Sequence, residues 1–156
     1  METYHQEKYS QTGINHQFVQ DNHSGSSRGV LRGLHYQIKQ PQGKLIWLVE
    51  GEIFDVAVDL RRSSITFGQW FGMSLSAESK CQLWIPPGFA HGFYVTSEWA
   101  EVIYKATDLY APQWERTLLW NDPEINIQWP VQPGFYPQVS DKDAGGKHLR
   151  DAELFD

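Results

Sequence analysis

LIWLVEGEIFDVAVDLR, residues 45–61, alternates too regularly to be a helix. In IFDVAVDLR (53–61), Phe54, Val56, Val58 and Leu60 share one face of a period-two pattern, with Asp55, Ala57 and Asp59 on the other. The preceding LIWLVEGEI (45–53) is apolar on both faces before Gly51, as expected of a strand buried on both sides. Two strands meeting at a glycine make this an antiparallel, sheet-forming chain.

The pattern repeats outward in both directions. In WFGMSLSA (70–77), Phe71, Met73 and Leu75 oppose Gly72, Ser74 and Ser76. QLWIPPGFAHGFYV (82–95) is broken by Pro86, Pro87 and Gly88 into strand, turn, strand. EVIYKATDLY (101–110) is a further strand. VLRGLHYQ (30–37) reads as a strand that carries two unexpected residues, Arg32 and His35. Helix signals are weak: LSAESKCQ (75–82) has room for one turn, and AGGKHLRDAELFD (144–156) for a short terminal helix. Many short strands with Gly/Pro turns indicate an all-β chain, a sandwich or barrel of the jelly-roll type. No repeat or linker divides it, so residues 1–156 are expected to form one domain.

Composition narrows the function. The net charge of −6 and the absence of a basic stripe argue against nucleic acid, yet leave room for a small anionic ligand held by a few placed cations. Cys81 is the only cysteine, so no intrachain disulfide can form. No apolar run has membrane-spanning length, and the start lacks a signal-peptide pattern. A cytoplasmic protein is expected, with no membrane partner. The 7 Trp are many for this length, and such side chains often line pockets for flat or sugar-like ligands.

Several residues could carry chemistry, each with a plainer alternative. His35 is either a hydrogen-bonded structural histidine or a base. Lys44, where a turn enters an apolar strand, is either exposed or held at a barrel mouth. Tyr104 could be core, and Asp143 a turn or N-cap residue. Gln20 and Asn22, in FVQDNHS (18–24), could lie in a polar loop. His91, in PPGFAHGF, matches the spacing of the second cupin motif, which in many barrels supplies a metal ligand. Here position 37 is Gln37 and Lys44 follows, so two histidines are left, too few for a transition metal. A pocket without metal or other cofactor is expected.

Taken in order, FVQDNHS, VLRGLHYQ, QGKL, GEIFDVAVDLR, TFGQW, LWIPPGFAHGF, YKATDLYAP, LLWNDP and DKDAGG resemble one family, the dTDP-4-dehydrorhamnose 3,5-epimerases, or RmlC-type cupins. The resemblance runs from about Glu2 to Gly146. It implies a cupin-type double-stranded β-helix that inverts C3 and C5 of a dTDP-4-keto-6-deoxy sugar, without a metal, as a homodimer. By this resemblance His35 is the base, Asp143 orients it, Lys44 steadies the C4 oxygen, and Tyr104 returns a proton from the opposite face. Glu2, Gln20 and Asn22 would contact the nucleotide and Arg32 its diphosphate. His91, Tyr110, Glu115 and Lys142 would line the cleft.

Relative to the family the chain is expected to be shortened at its N-terminus by about two dozen residues, one strand and a loop. Leu109 stands where members often carry an aromatic residue. Three alternatives follow: inversion at one carbon only, a sugar-nucleotide binder with impaired catalysis, or a metal-dependent cupin. One geometric difficulty also remains. Arg32 and His35 differ by three positions, so strict alternation puts them on opposite faces of a strand, although the resemblance brings both to one ligand. A bulge at Gly33 would resolve it, as would an arginine reaching around the rim.

Overall fold

The computed structural model describes residues 1–156. After a short helix α1 (Gln6–Gln11) come nine strands: β1 (Gln20–Ser27), β2 (Leu31–Gln37), β3 (Lys44–Glu50), β4 (Glu52–Asp59), β5 (Trp70–Ser76), β6 (Leu83–Ile85), β7 (Phe89–Val95), β8 (Trp99–Ala106) and β9 (Glu115–Thr117). A one-turn helix α2 (Asp141–Ala144) and a 3-10 turn at Leu149–Asp151 follow. The strands form two antiparallel sheets, ordered β1-β8-β3-β6 and β5-β4-β7-β2-β9. This is the jelly-roll architecture that the alternation indicates.

Gly51 joins β3 to β4 at a φ of +75°, and a Cβ there would lie 1.9 Å from the Trp99 carbonyl, so only glycine fits. Two apolar layers hold the sheets. Between them lie Ile46, Leu48, Ile53, Ala57, Leu75, Phe93, Val95 and Val102. The second layer contains Leu34, Tyr36, Val56, Val58, Leu60, Ala90 and Leu118, covered by Trp129, Leu149, Leu154 and Phe155 from the C-terminal third. The more apolar face of β4 thus packs under the chain's own tail. Its other face, with Ile53, Asp55, Ala57 and Asp59, belongs to the inter-sheet side.

The ends depart from the sequence pattern. Residues 144–156 do not form a helix: Ala144 ends α2, the Gly145–Gly146 pair follows, and Phe155 instead pairs its backbone with Leu60 and Arg62. At LSAESKCQ only a turn after β5 is present. Helix α1 had no apolar periodicity to announce it, since none of its residues is buried. Around it, Tyr4 packs on Tyr9 and Phe18, and Phe18 on Trp84 of β6.

Candidate active site

The difficulty at Arg32 and His35 is resolved at Gly33. The register of β2 against β7 shifts between these two residues. Gly33 has a φ of +119°, and a Cβ on it would fall 2.5 Å from the Gly92 Cα. A Cβ on Gly92 would lie 2.6 Å from the Arg32 carbonyl. Two glycines therefore let β2 and β7 cross at a distance no side chain allows, and the irregularity turns Arg32 and His35 toward one cavity.

That cavity, of about 250 Å³, is lined by Arg32, His35, His91 and Phe93 from the five-stranded sheet, and by Asn22, Ser24, Lys44 and Tyr104 from the four-stranded sheet. Asn22 and Ile46 flank Tyr104 in register, so the phenol is held between neighbouring strands. His35 and Tyr104 thus reach the cavity from opposed sheets. A ring lying between them would present a different face to each.

His35 Nε2 lies 2.5 Å from Asp143 Oδ1. Asp143 is buried, and its second oxygen accepts the Gly33 N–H at 3.1 Å. Ser140 caps α2 by accepting the Asp143 N–H at 3.2 Å, which fixes the carboxylate at the start of the turn. Burial pushes the Asp143 carboxyl up, but the hydrogen bond and charge of His35, with Gly33 and Lys142, outweigh it and hold the group below its ordinary value. An ionised carboxylate at Nε2 fixes the Nε2–H tautomer and leaves the lone pair on Nδ1, the arrangement of an oriented base.

Lys44 opens β3 with its amine 5.6 Å from the Tyr104 ring centroid and no carboxylate in salt-bridge contact. Burial lowers its pKa to about 8, against the opposing pull of Asp55 and Glu115. Burial raises the Tyr104 phenol, while Arg32 opposes it. His91 stands opposite His35 in register and bonds Asp55 with its Nε2 at 2.9 and 3.1 Å. Burial lowers the His91 pKa despite Asp55, with Lys44 and His35 adding to the effect. No three His, Cys, Asp or Glu side chains converge as a metal-ligand set.

Around the cavity runs a polar rim. Glu115 Oε2 accepts from Lys142 Nζ at 2.5 Å and from the Tyr110 hydroxyl at 3.0 Å. Burial raises Glu115, but these two hydrogen bonds bring it below its ordinary value. Gln20 bonds Asn22 at 3.1 Å and accepts the Tyr110 N–H at 2.8 Å. A second recess of about 280 Å³ behind His35 is shared by Arg32, Ser26, Ser140, Lys142 and Asp143, placing two cations and two hydroxyls together. Such a set suits phosphate oxygens.

Of the residues read from the sequence, His35, Lys44, Tyr104, Asn22, Arg32 and His91 line the cavity, Asp143 stands behind the base, and Gln20, Tyr110, Glu115 and Lys142 form the rim. Glu2 is not among them: its carboxylate pairs with Lys8 at 2.6 Å on the exposed N-terminal segment. Asp55 was missed as a site residue. Its signal was present, a carboxylate on the otherwise apolar alternation of β4, and it is fully buried. Ser24 and Ser140 carried no such signal.

Comparison with known proteins matches this arrangement throughout. The sequence model for dTDP-4-dehydrorhamnose 3,5-epimerase matches residues 1–151. A dTDP-4-dehydrorhamnose 3,5-epimerase of Pseudomonas aeruginosa is 59% identical over 155 residues, covering 99% of this chain and 84% of the relative. The crystal structure of dTDP-6-deoxy-D-glucose-3,5-epimerase RmlC from Legionella pneumophila, in complex with dTDP-4-keto-L-rhamnose, superposes with a TM-score of 0.93. It shares 51% identity over 97% of this chain and 80% of its own. ChmJ, a 3'-monoepimerase from Streptomyces bikiniensis in complex with dTDP-quinovose, has a TM-score of 0.87 at 32% identity, covering 96% of this chain and 75% of its own.

Proposed function

We propose how this chain, which belongs to the dTDP-4-dehydrorhamnose 3,5-epimerase family and is an isomerase of that type, inverts C3 and C5 of a dTDP-4-keto-6-deoxy-hexose within the cavity between its sheets. The observation that carries the reading is the placement of His35 and Tyr104 on opposed sheets across one cavity. Inversion needs two groups on opposite faces, because one group working from one face regenerates the starting configuration.

The C3 and C5 hydrogens flank the C4 ketone and are weakly acidic. His35 removes one through Nδ1. The C–H electron pair forms the C=C bond, and the carbonyl pair moves to the C4 oxygen as an enolate. Lys44, about nine-tenths protonated at pH 7 with a pKa of about 8, places an ammonium against that oxygen in a site of low dielectric. Tyr104 gives its hydroxyl proton to the carbon from the other face, the enolate collapses to the ketone, and solvent exchange resets both groups. Asp143 stabilises the imidazolium formed in between.

Arg32 and Lys142 take the diphosphate, with Gln20, Asn22, Tyr110 and Glu115 around the nucleotide and His91 behind the sugar. Residues 1–156 act as one cupin domain in the cytoplasm and work without a metal. The free edge of β1 and the exposed Trp99 at its partner strand support a homodimer. A second reading, inversion at one carbon, is favoured by the similarity to the 3'-monoepimerase. The function is tested with His35→Asn. Hydrogen exchange from dTDP-4-keto-6-deoxyglucose should be lost, while dTDP binding by calorimetry stays within about twofold of wild type. Retained exchange would remove His35 from the role of base.

A further inference from the structure

Gln37 occupies the position at which a metal-binding cupin would carry a ligand, two residues after His35 and on the same side of β2. Only 4% of it is exposed, and its amide is engaged at both ends. Nε2 donates to the Gln40 carbonyl at 2.8 Å and to the Leu109 carbonyl at 3.2 Å, and Oε1 accepts the Ala111 N–H at 2.8 Å. Both amide hydrogens are used, so this side chain has no donor left for a ligand.

Its partners matter more than their number. Leu109 and Ala111 flank Tyr110, and the Tyr110 N–H goes to Gln20. Strand β8 ends at Ala106, so no sheet ladder holds this stretch. Two side-chain amides take over that task, one on each side of the cavity mouth. The Tyr110 hydroxyl then reaches Glu115, and Glu115 holds Lys142, which adjoins Asp143.

We propose that Gln37 is a positioning residue: it ties the loop carrying Tyr110 to the strand carrying His35, and so sets the nucleotide-binding rim in register with the base. This rests on the function proposed above. It assigns a purpose to the residue that replaces a metal ligand, since the strand uses the position to anchor a loop.

The test is Gln37→Met, which keeps the volume and removes the three hydrogen bonds, measured beside wild type, Tyr110→Ala and the double variant. KM for the 4-keto sugar nucleotide and Kd for dTDP should rise about tenfold, the worth of one lost contact. The kcat should stay within about twofold, and its pH profile should be unmoved. In the Tyr110→Ala background, Gln37→Met should change neither KM nor Kd further. A fall in kcat at unchanged KM, penalties that multiply in the double variant, or binding equal to wild type would each overturn the proposal. If Gln37→Met does not fold, Gln37→Asn, which keeps an amide but draws it back by one methylene, should show the same split at smaller size. Wild type that neither turns over nor binds dTDP would defeat the function proposed above and this proposal together. Active wild type with an indifferent Gln37→Met defeats this one alone.

Discussion

Replacing Lys44 with methionine should stabilise the fold while removing activity. The Lys44 ammonium is pushed from an ordinary 10.5 down to about 8 because it is enclosed without a salt-bridge partner. At about 1.36 kcal/mol for each pH unit of that displacement, keeping the group charged costs the folded state about 3 kcal/mol at pH 7. Methionine fills much of the same volume without the charge. The sign follows from proton counting. Between pH 8 and 10.5 the unfolded chain binds more protons than the folded one, so this group makes wild-type stability rise with pH across that window. Lys44→Met lacks the slope. Urea unfolding at two pH values measures the difference. Lys44→Met should be more stable by about 3 kcal/mol at pH 7, and the gap should shrink to about 1 kcal/mol at pH 10. A variant less stable than wild type at pH 7, or a gap that does not move with pH, would refute the reasoning. Wild-type turnover should also fall as pH rises through about 8, where the cation facing the enolate is lost.

Two further outcomes follow from the same geometry. Tyr104→Phe leaves His35 and Asp143 in place, so it should still wash substrate hydrogen into solvent while yielding product slower by about two orders of magnitude; parallel NMR of exchange and product separates the two. Gly92→Ala forces a methyl to within 2.6 Å of the Arg32 carbonyl, and overpacking of this kind should cost about 1–3 kcal/mol in denaturant unfolding; unchanged stability would show that the β2–β7 crossing yields easily.

The strands were legible because a half-buried sheet imposes alternation on its sequence, and LIWLVEGEIFDVAVDLR states it twice. What alternation does not state is which face meets which layer. The Phe54, Val56, Val58 and Leu60 face reads as barrel interior, yet the C-terminal tail covers it, a contact made by residues far along the chain. The terminal helix failed for a similar reason: Phe155 gains backbone pairs with Leu60 and Arg62 that a helix would forfeit. At the site, His35, Lys44, Tyr104 and Asp143 were found through resemblance, whereas Asp55 could have been found from pattern, as a carboxylate on an apolar strand. The rim was not legible at all. Gln20, Gln37, Tyr110, Glu115 and Lys142 are ordinary polar residues in sequence and become one network only when β1, β2, β9 and α2 meet. Glu2 was assigned to the nucleotide, and its pairing with Lys8 shows how a motif match can place a residue that local charge holds elsewhere.

The central claim is that one cavity removes and returns hydrogen at two carbons from opposite faces. Incubating dTDP-4-keto-6-deoxyglucose with the protein in D₂O and following the sugar by NMR tests it most directly. The account predicts solvent deuterium at both C3 and C5 of an inverted product. Deuterium at neither carbon, from folded protein that binds dTDP, would contradict it, and deuterium at one carbon would replace it with the single-carbon reading.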